Sequence, residues 1–286
     1  MKVAAVIILY HPELSHLSTM LSALQQSGWP TVLVDNSPSV LADIPPSVHT
    51  YIHCPDNVGI AEAQNKGIDK AIETQAEAVL LLDQDSQLSA ALLNGLLDSY
   101  KLALHRFDKV ACVGPQVLCD FNNQQVKPRL SREKTLCDEL VLSRQIIASG
   151  MLLNVSAYKQ IGKKDSELFI DGVDHEWCWR ARNLDYMVLK AAGVVMRHKQ
   201  GDGRHRLFGM NFKRGAPVRL YYQVRNVLIL SRRRYVPVYW KLRHLTALPI
   251  RFAVNRWYFP QGKLRGRFMW RGLKDGITGR TGRIDQ

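Results

Sequence analysis

Asp83-Gln84-Asp85 places two carboxylates one residue apart, directly after the apolar run at 79–82. Oxygen donors at that spacing, at the end of a buried strand, suit a hard divalent ion such as Mg²⁺ or Mn²⁺ and the ribose of a nucleotide. Asp35 follows a second apolar run, Asp171 and Asp174 stand together in Phe169-Ile170-Asp171-Gly172-Val173-Asp174, and His198 closes a further stretch. Taken singly, each acid is also what a polar turn or a helix N-cap requires. The glycine-rich signatures of a dinucleotide site or a P-loop, Gly-x-Gly-x-x-Gly and Gly-x-x-x-x-Gly-Lys-Ser/Thr, are absent from the sequence, which argues against both chemistries.

The elements that must position these acids alternate. Apolar runs of strand length occupy 3–9, 31–34, 50–53, 78–82 and 110–113. Between them the helical stripes 14–24, 60–71 and 89–105 carry apolar residues at spacings of three and four. Strand–helix alternation with continuous apolar strands predicts a mostly parallel sheet covered by helices on both faces, an α/β fold. Ligands of such sheets bind outside the carboxyl ends of the strands, where Asp35, Asp83 and Asp85 fall. Residues 115–145 read as a polar excursion. A strand at 146–153, helices at 155–161 and 174–183, and a strand, turn and strand over 187–197 follow. The Gly-rich, charged stretch 199–216 reads as a loop, and a helix begins at Pro217.

The strings Val34-Asp35-Asn36-Ser37, Asn57-Val58-Gly59-Ile60-Ala61 with Asn65-Lys66-Gly67-Ile68, and Leu82-Asp83-Gln84-Asp85-Ser86 together resemble the family 2 glycosyltransferases of GT-A fold, most closely the bacterial rhamnosyltransferases. Ser149-Gly150, the segment from Phe169 through Asp171-Gly172-Val173-Asp174-His175-Glu176-Trp177 to Cys178, and Tyr221-Tyr222 with Arg225-Asn226 extend the resemblance over about residues 3–230. Gly172 departs from it, standing where a bulkier residue is expected. The resemblance implies an inverting, metal-dependent sugar transfer with Asp174 as the base that deprotonates the acceptor hydroxyl. It implies Asp85 and His198 as ligands of Mg²⁺ or Mn²⁺. Asp35, Asn57, Gly59, Asn65, Asp83, Arg219 and Arg225 would contact the nucleotide-sugar donor, and Asp171, Glu176 and Trp177 the acceptor. The donor implied is dTDP-β-L-rhamnose, and the acceptor a saccharide on polyprenyl diphosphate or lipopolysaccharide in surface polysaccharide (O-antigen or capsule) synthesis. Another nucleotide sugar, such as a UDP-hexose, is the alternative within the family.

Charge divides the chain. Residues 1–203 hold 19 basic and 23 acidic side chains, whereas 204–286 hold 20 and 2. A body at 1–230 is therefore expected to carry a basic extension at 231–286. Tyr239, Trp240, Trp257, Tyr258 and Trp270 interleave there with Arg and Lys, and Pro237, Pro249 and Pro260 interrupt it. Aromatic and cationic residues in this mixture suit an anionic membrane interface. No uncharged, continuously apolar run reaches the roughly 18 residues that span a bilayer. The five cysteines, with no Cys-x-x-Cys pair, fit neither a disulfide framework nor a zinc cluster. The residues at 1–13 read as a buried strand rather than a leader. The expected setting is the cytoplasm, at the inner face of the membrane. A non-enzymatic membrane- or nucleic-acid-binding protein would account for the basic extension but not for acids at several strand ends, and no nucleic acid partner is expected.

Overall fold

The computed structural model describes residues 1–119, 124–125, 133–198, 204–207, 210–213 and 215–285, with backbone alone at 118–119, 124–125, 198, 204–207 and 210–213. Strands β1 (Val3–Leu9), β2 (Thr31–Asp35), β3 (Thr50–His53) and β4 (Ala78–Asp83) alternate with helices α1 (Leu14–Gln26) and α2 (Ile60–Glu73). Helix α3 (Ala90–Arg106) leads to β5 (Val110–Cys119), followed by β6 (Gln124–Gln125), β7 (Lys134–Cys137), β8 (Leu140–Ser143) and β9 (Met151–Asn154). Then come α4 (Val155–Ile161), α5 (Val173–Asn183) and β10 (Met187–His198). A separate hairpin pairs β11 (Arg204–Leu207) with β12 (Met210–Lys213), and α6 (Arg219–Ser231), α7 (Val238–Trp257) and α8 (Gly262–Thr278) end the chain.

The ten-stranded sheet runs β3-β2-β1-β4-β9-β5-β10-β8-β7, with β6 on β5. Its first four strands are parallel, as is β5 with β10, while β9 lies antiparallel between β4 and β5. Residues of β1 alternate between two cores, as the two-residue period of a strand requires. Ala4, Val6 and Ile8 meet Ala63, Ile68 and Trp177 on one face, whereas Ala5, Ile7 and Leu9 meet Leu17, Met20 and Leu96 on the other. Helix α2 lies close against the sheet at Gly67, where an added Cβ would stand 2.3 Å from Val6 Cγ1.

Several local expectations change, among them the loop at 199–216, which carries the β11–β12 hairpin, and the excursion at 115–145, which carries β7 paired with β8. The strand expected at 146–153 is confined to β9, because the positive φ of Gly150 and the Met151 N–H to Ala148 carbonyl bond make 148–150 a turn. The turn expected within 187–197 is an irregularity in one strand, β10, whose pairing with β5 shifts between Lys190 and Val195. Pro249 does not interrupt the C-terminal segment but lies inside α7. Helix α8 packs on α6 through small residues: a Cβ on Gly272 would come within 2.4 Å of the Tyr221 carbonyl, and Tyr221 donates to Asp275 at 2.8 Å. Among the described residues no helix is long and apolar enough to cross a membrane.

Candidate active site

The parallel register sets the first acids side by side. Ile8 pairs with Asp83 on one flank and Val34 on the other, and Leu9 pairs with Asp35, so Asp35 and Asp83 leave the sheet at the same edge. Side chains tie the loops beyond that edge together. Gln84 accepts from the Tyr10 N–H at 2.6 Å and donates to the Tyr10 carbonyl at 3.0 Å, and Ser86 bonds Ser149 at 2.6 Å. With Gln84 turned toward the β1 loop, the acids flanking it stand on a fixed turn.

Asp174 enters from the first turn of α5. Its Oδ1 accepts from Lys164 Nζ at 3.2 Å, and Lys164 is itself buried, its ammonium 5.5 Å from the Trp177 ring centroid. Asp171, the residue before the α5 cap Gly172, receives a bidentate bond from Arg219 at 2.8 and 2.9 Å. The loop that carries it is bent through positive φ at Phe169, Asp171 and Gly172. Asn226 Nδ2 holds that loop by donating to the carbonyls of Leu168, Ile170 and Asp171. The departure at Gly172 has a physical reason: with φ +93° and Leu230 Cδ1 only 3.0 Å from a built Cβ, the position favours glycine.

These groups act on one another. Burial pushes the Asp83 carboxyl up to about 7, and the charges of Asp174 and Asp85 add to the effect, while Arg219 and Lys164 oppose it. Asp83, Asp85, Asp174, Lys164 and Arg219 thus share one electrostatic neighbourhood. Asp35 sits further along the edge, buried, its oxygens accepting from the Ser37 N–H and the Tyr51 hydroxyl at 2.8 Å each. Beside it, Asn36 Oδ1 is buried without a partner among the described residues. A cavity of about 640 Å³ adjoins the acids on the α6–α7 side, lined by Ser149, Asp171, Gly172 and His175 among others, but not by Asp83, Asp85 or Asp174.

Several expected ligand contacts are structural instead. Arg225 is fully buried, its guanidinium donating to the carbonyls of Glu167, Leu168 and Gly282 and to Asn226, so it is not available to a diphosphate. Asn65 is also buried; it donates to the Lys164 carbonyl and Ser166, and accepts from Tyr158 and the Lys164 N–H, positioning Lys164 rather than a donor. The first N–H groups of α2 are taken by the Phe169 carbonyl, at 2.8 Å from Ile60 N, so no phosphate meets that helix end. Asn57 Oδ1 accepts from the Gly59 N–H, and Gly59 (φ +83°) packs where a Cβ would lie 2.6 Å from Phe169. Glu176 is 1% exposed and binds Arg180, Tyr235 and Arg233, fastening α5 to the segment before α7. Trp177 is core, its indole donating to the Gly162 carbonyl at 3.0 Å. His198 ends β10, and its side chain lies outside the described residues.

Lys164, Asn36 and Asn226 were not among the expected site residues, although Asn36 and Asn226 stand in the strings that carry the resemblance. Lys164 sits in Lys163-Lys164-Asp165, which reads as an exposed charged turn, and nothing local marks it as buried. Asn226 had a signal, its place beside Arg225 in the segment with Tyr221-Tyr222.

No family model matches the chain. It is 32% identical over 255 residues to the dTDP-rhamnosyl transferase RfbF of Shigella flexneri, covering 84% of this chain and 83% of that protein. Among solved structures, S. aureus TarS residues 1–349 superposes with a TM-score of 0.59 at 11% identity, covering 98% of this chain and 82% of that one. GalNAc-T7, solved with UDP, GalNAc and Mn²⁺, gives a TM-score of 0.57 at 14% identity over 97% of this chain, which spans only 56% of that protein's length. The structural likenesses carry the fold, and the Shigella relative carries the kinship. With acids gathered at the carboxyl edge of an α/β sheet, the chain belongs to the rhamnosyltransferase-like glycosyltransferases of family 2, with the GT-A fold.

Proposed function

We propose that this glycosyltransferase moves L-rhamnose from dTDP-β-L-rhamnose, with inversion, to a lipid-linked saccharide of a bacterial surface polysaccharide. The observation that carries the reading is the joint neighbourhood of Asp83, Asp85 and Asp174 with Lys164 and Arg219. Asp174, on the acceptor side, takes the proton from the attacking hydroxyl as that oxygen bonds the anomeric carbon and the dTDP oxygen leaves. A single base with no second carboxylate assigned as nucleophile corresponds to one displacement, hence inversion. Asp83 accepts from the ribose, and Asp35 with the unpartnered Asn36 Oδ1 faces the nucleoside. Arg219, anchored on Asp171, offsets charge developing on the departing diphosphate.

The donor set fits a divalent cation of a particular kind. Among the described residues no group of three His, Cys, Asp or Glu side chains can hold an ion alone. Mg²⁺ and Mn²⁺ sites commonly use one or two carboxylates plus substrate phosphates, however, and a cation would offset the burial and the neighbouring acid charge that raise Asp83. Asp85, with Asp83 beside it, would hold the ion, which supplies neutralisation of the diphosphate when bound. His198 stays a candidate third ligand by its place at the end of β10.

The basic helices α7 and α8 leave Leu242, Ile250, Trp257, Tyr258 and Trp270 exposed. We read 231–286 as the part that rests on an anionic membrane surface, at the cytoplasmic face, where a lipid-linked acceptor would be presented. A UDP-hexose is the competing donor.

The test is Asp174→Asn. Turnover with dTDP-rhamnose is expected to fall at least 100-fold while dTDP-rhamnose binding, measured by calorimetry with Mn²⁺, stays within about threefold. Full turnover in the variant removes the base assignment, and a UDP-sugar response in place of dTDP removes the donor.

A further inference from the structure

We propose that the cavity beside the acid cluster binds a phosphoryl group of the acceptor through Arg243 and Arg251 of α7. The inference rests on the sugar-transfer reading and extends it to the chemistry of the acceptor. The cavity, about 640 Å³, is walled by the 143–149 segment, Asp171, Gly172 and His175 on one side and by α6, α7 and α8 on the other. Because Asp171 and Gly172 belong to the loop that leads into Asp174, a molecule filling this space approaches the acids from the acceptor side.

Among the described residues the charge on the α7 wall has no acidic partner, with Arg243 exposed and Arg251 half-buried. Arg243 and Arg251 lie eight residues apart, about two helical turns, and both line the cavity. Among the described residues, neither guanidinium has a hydrogen bond or ion pair. Every other arginine discussed above is bound: Arg219 to Asp171, Arg225 to carbonyls, Arg180 and Arg233 to carboxylates. Of the other basic groups on the cavity, Lys190 is paired with Glu133, and Arg144 is not free either. Burial lowers the Arg251 guanidinium, and Arg243 lowers it further; burial likewise lowers His244 to about 4, with Arg251, Arg243 and His175 adding to it. Like charges held together in a partly enclosed space favour an anion. Guanidinium groups match the tetrahedral oxygens of phosphate through paired N–H bonds.

The remaining wall is apolar. Leu220, Val224 and Met269 form a buried cluster with Leu248 packed on it. A ligand with a sugar at one end, phosphate in the middle and an apolar chain beyond matches that sequence of surfaces. The donor diphosphate does not, since Asp83 and Asp85 lie off the cavity wall.

The test uses the full chain and inorganic pyrophosphate as the probe, titrated in EDTA by calorimetry so that no cation recruits it to the aspartates. The double variant Arg243→Gln/Arg251→Gln is expected to bind pyrophosphate at least 10-fold more weakly, and the double lysine variant to recover part of the loss. Binding of dTDP with Mn²⁺ and co-sedimentation with phosphatidylglycerol vesicles are both expected to stay within twofold of the unmodified protein. Unchanged pyrophosphate affinity overturns the proposal. So does a loss of vesicle binding in place of pyrophosphate binding, which would assign the arginines to bilayer headgroups. Failure of the unmodified protein to bind dTDP would refute the sugar-nucleotide reading instead, and would leave the pyrophosphate comparison standing.

Discussion

Asp83→Asn separates what the fold loses by crowding acids from what ligand binding recovers. In the metal-free protein the Asp83 carboxyl is raised from 3.8 to about 7, chiefly by burial and then by Asp174 and Asp85. A folded-state value above the unfolded one means that the native state holds the proton more tightly. The associated stability is complete below pH 4 and is lost as pH rises toward 7. About three units at roughly 1.4 kcal/mol each set a ceiling of about 4 kcal/mol on that loss. Asp83 is only partly buried, and effective dielectric screening reduces the figure to about 1–2 kcal/mol. The amide cannot ionise, so in EDTA at pH 8 the variant is expected to melt about 2–6 °C above the unmodified protein. Near pH 4 the difference should vanish. With Mn²⁺ and dTDP the order should reverse, because a ligand at 100 times its Kd adds about 2.7 kcal/mol to a protein that retains its site. Thermal melts over pH 4–9, with and without ligand, give both arms. A variant no more stable than the unmodified protein in EDTA at pH 8 would refute the crowding argument, whatever its activity.

Other substitutions probe the supports. Lys164→Met leaves Asp174 without its ion-pair partner and is expected to cost about 1–3 kcal/mol in urea unfolding and to lower kcat more than donor affinity. Asn226→Ala releases the carbonyls of Leu168, Ile170 and Asp171 and should cost about 1–3 kcal/mol, with turnover reduced because the Asp171 loop loses its tie. Gly67→Ala forces a methyl against Val6, 2.3 Å from its Cγ1, and should destabilise by about 1–3 kcal/mol with donor affinity unchanged, both read from denaturation and dTDP titration.

The parallel half of the sheet was legible because its signal is local. The run at 3–9 is buried on both faces, and α2 begins at Ile60, where its apolar stripe starts. The acids at the strand ends were legible for the same reason, since a hydrophobic run that stops at Asp35 or Asp83 marks an edge. What escaped depends on contacts distant in sequence. Arg225 reads as a cation ready for phosphate, yet carbonyls from Glu167 and Gly282 enclose it, and neither lies within fifty residues. Glu176, expected to meet the acceptor, is instead closed over by Arg233 and Tyr235. Lys164 is the converse case: local composition predicts solvent, and Asn65, 99 residues away, draws its backbone inward. Pro249 shows a weak local rule giving way, because packing on α8 and α6 holds α7 helical through it.

The acids near the sheet edge differ in how their charge is satisfied. Asp171 is matched by Arg219 and Asp174 by Lys164, each through direct bonds. The Asp83 carboxylate makes no hydrogen bond or ion pair among the described residues, although it feels both neighbouring acids. If the site were only a polar sheet edge, capping and turn formation would satisfy these groups, as Asp35 is satisfied by Ser37 and Tyr51. Instead the acid on the Asp-x-Asp turn is left to burial and repulsion, a state that a fold sustains at a cost in stability and that persists where function needs it. Lys164 and Arg219 oppose the rise of the Asp83 carboxyl that burial, Asp174 and Asp85 produce, so the acceptor-side acids do not add their full charge to the turn.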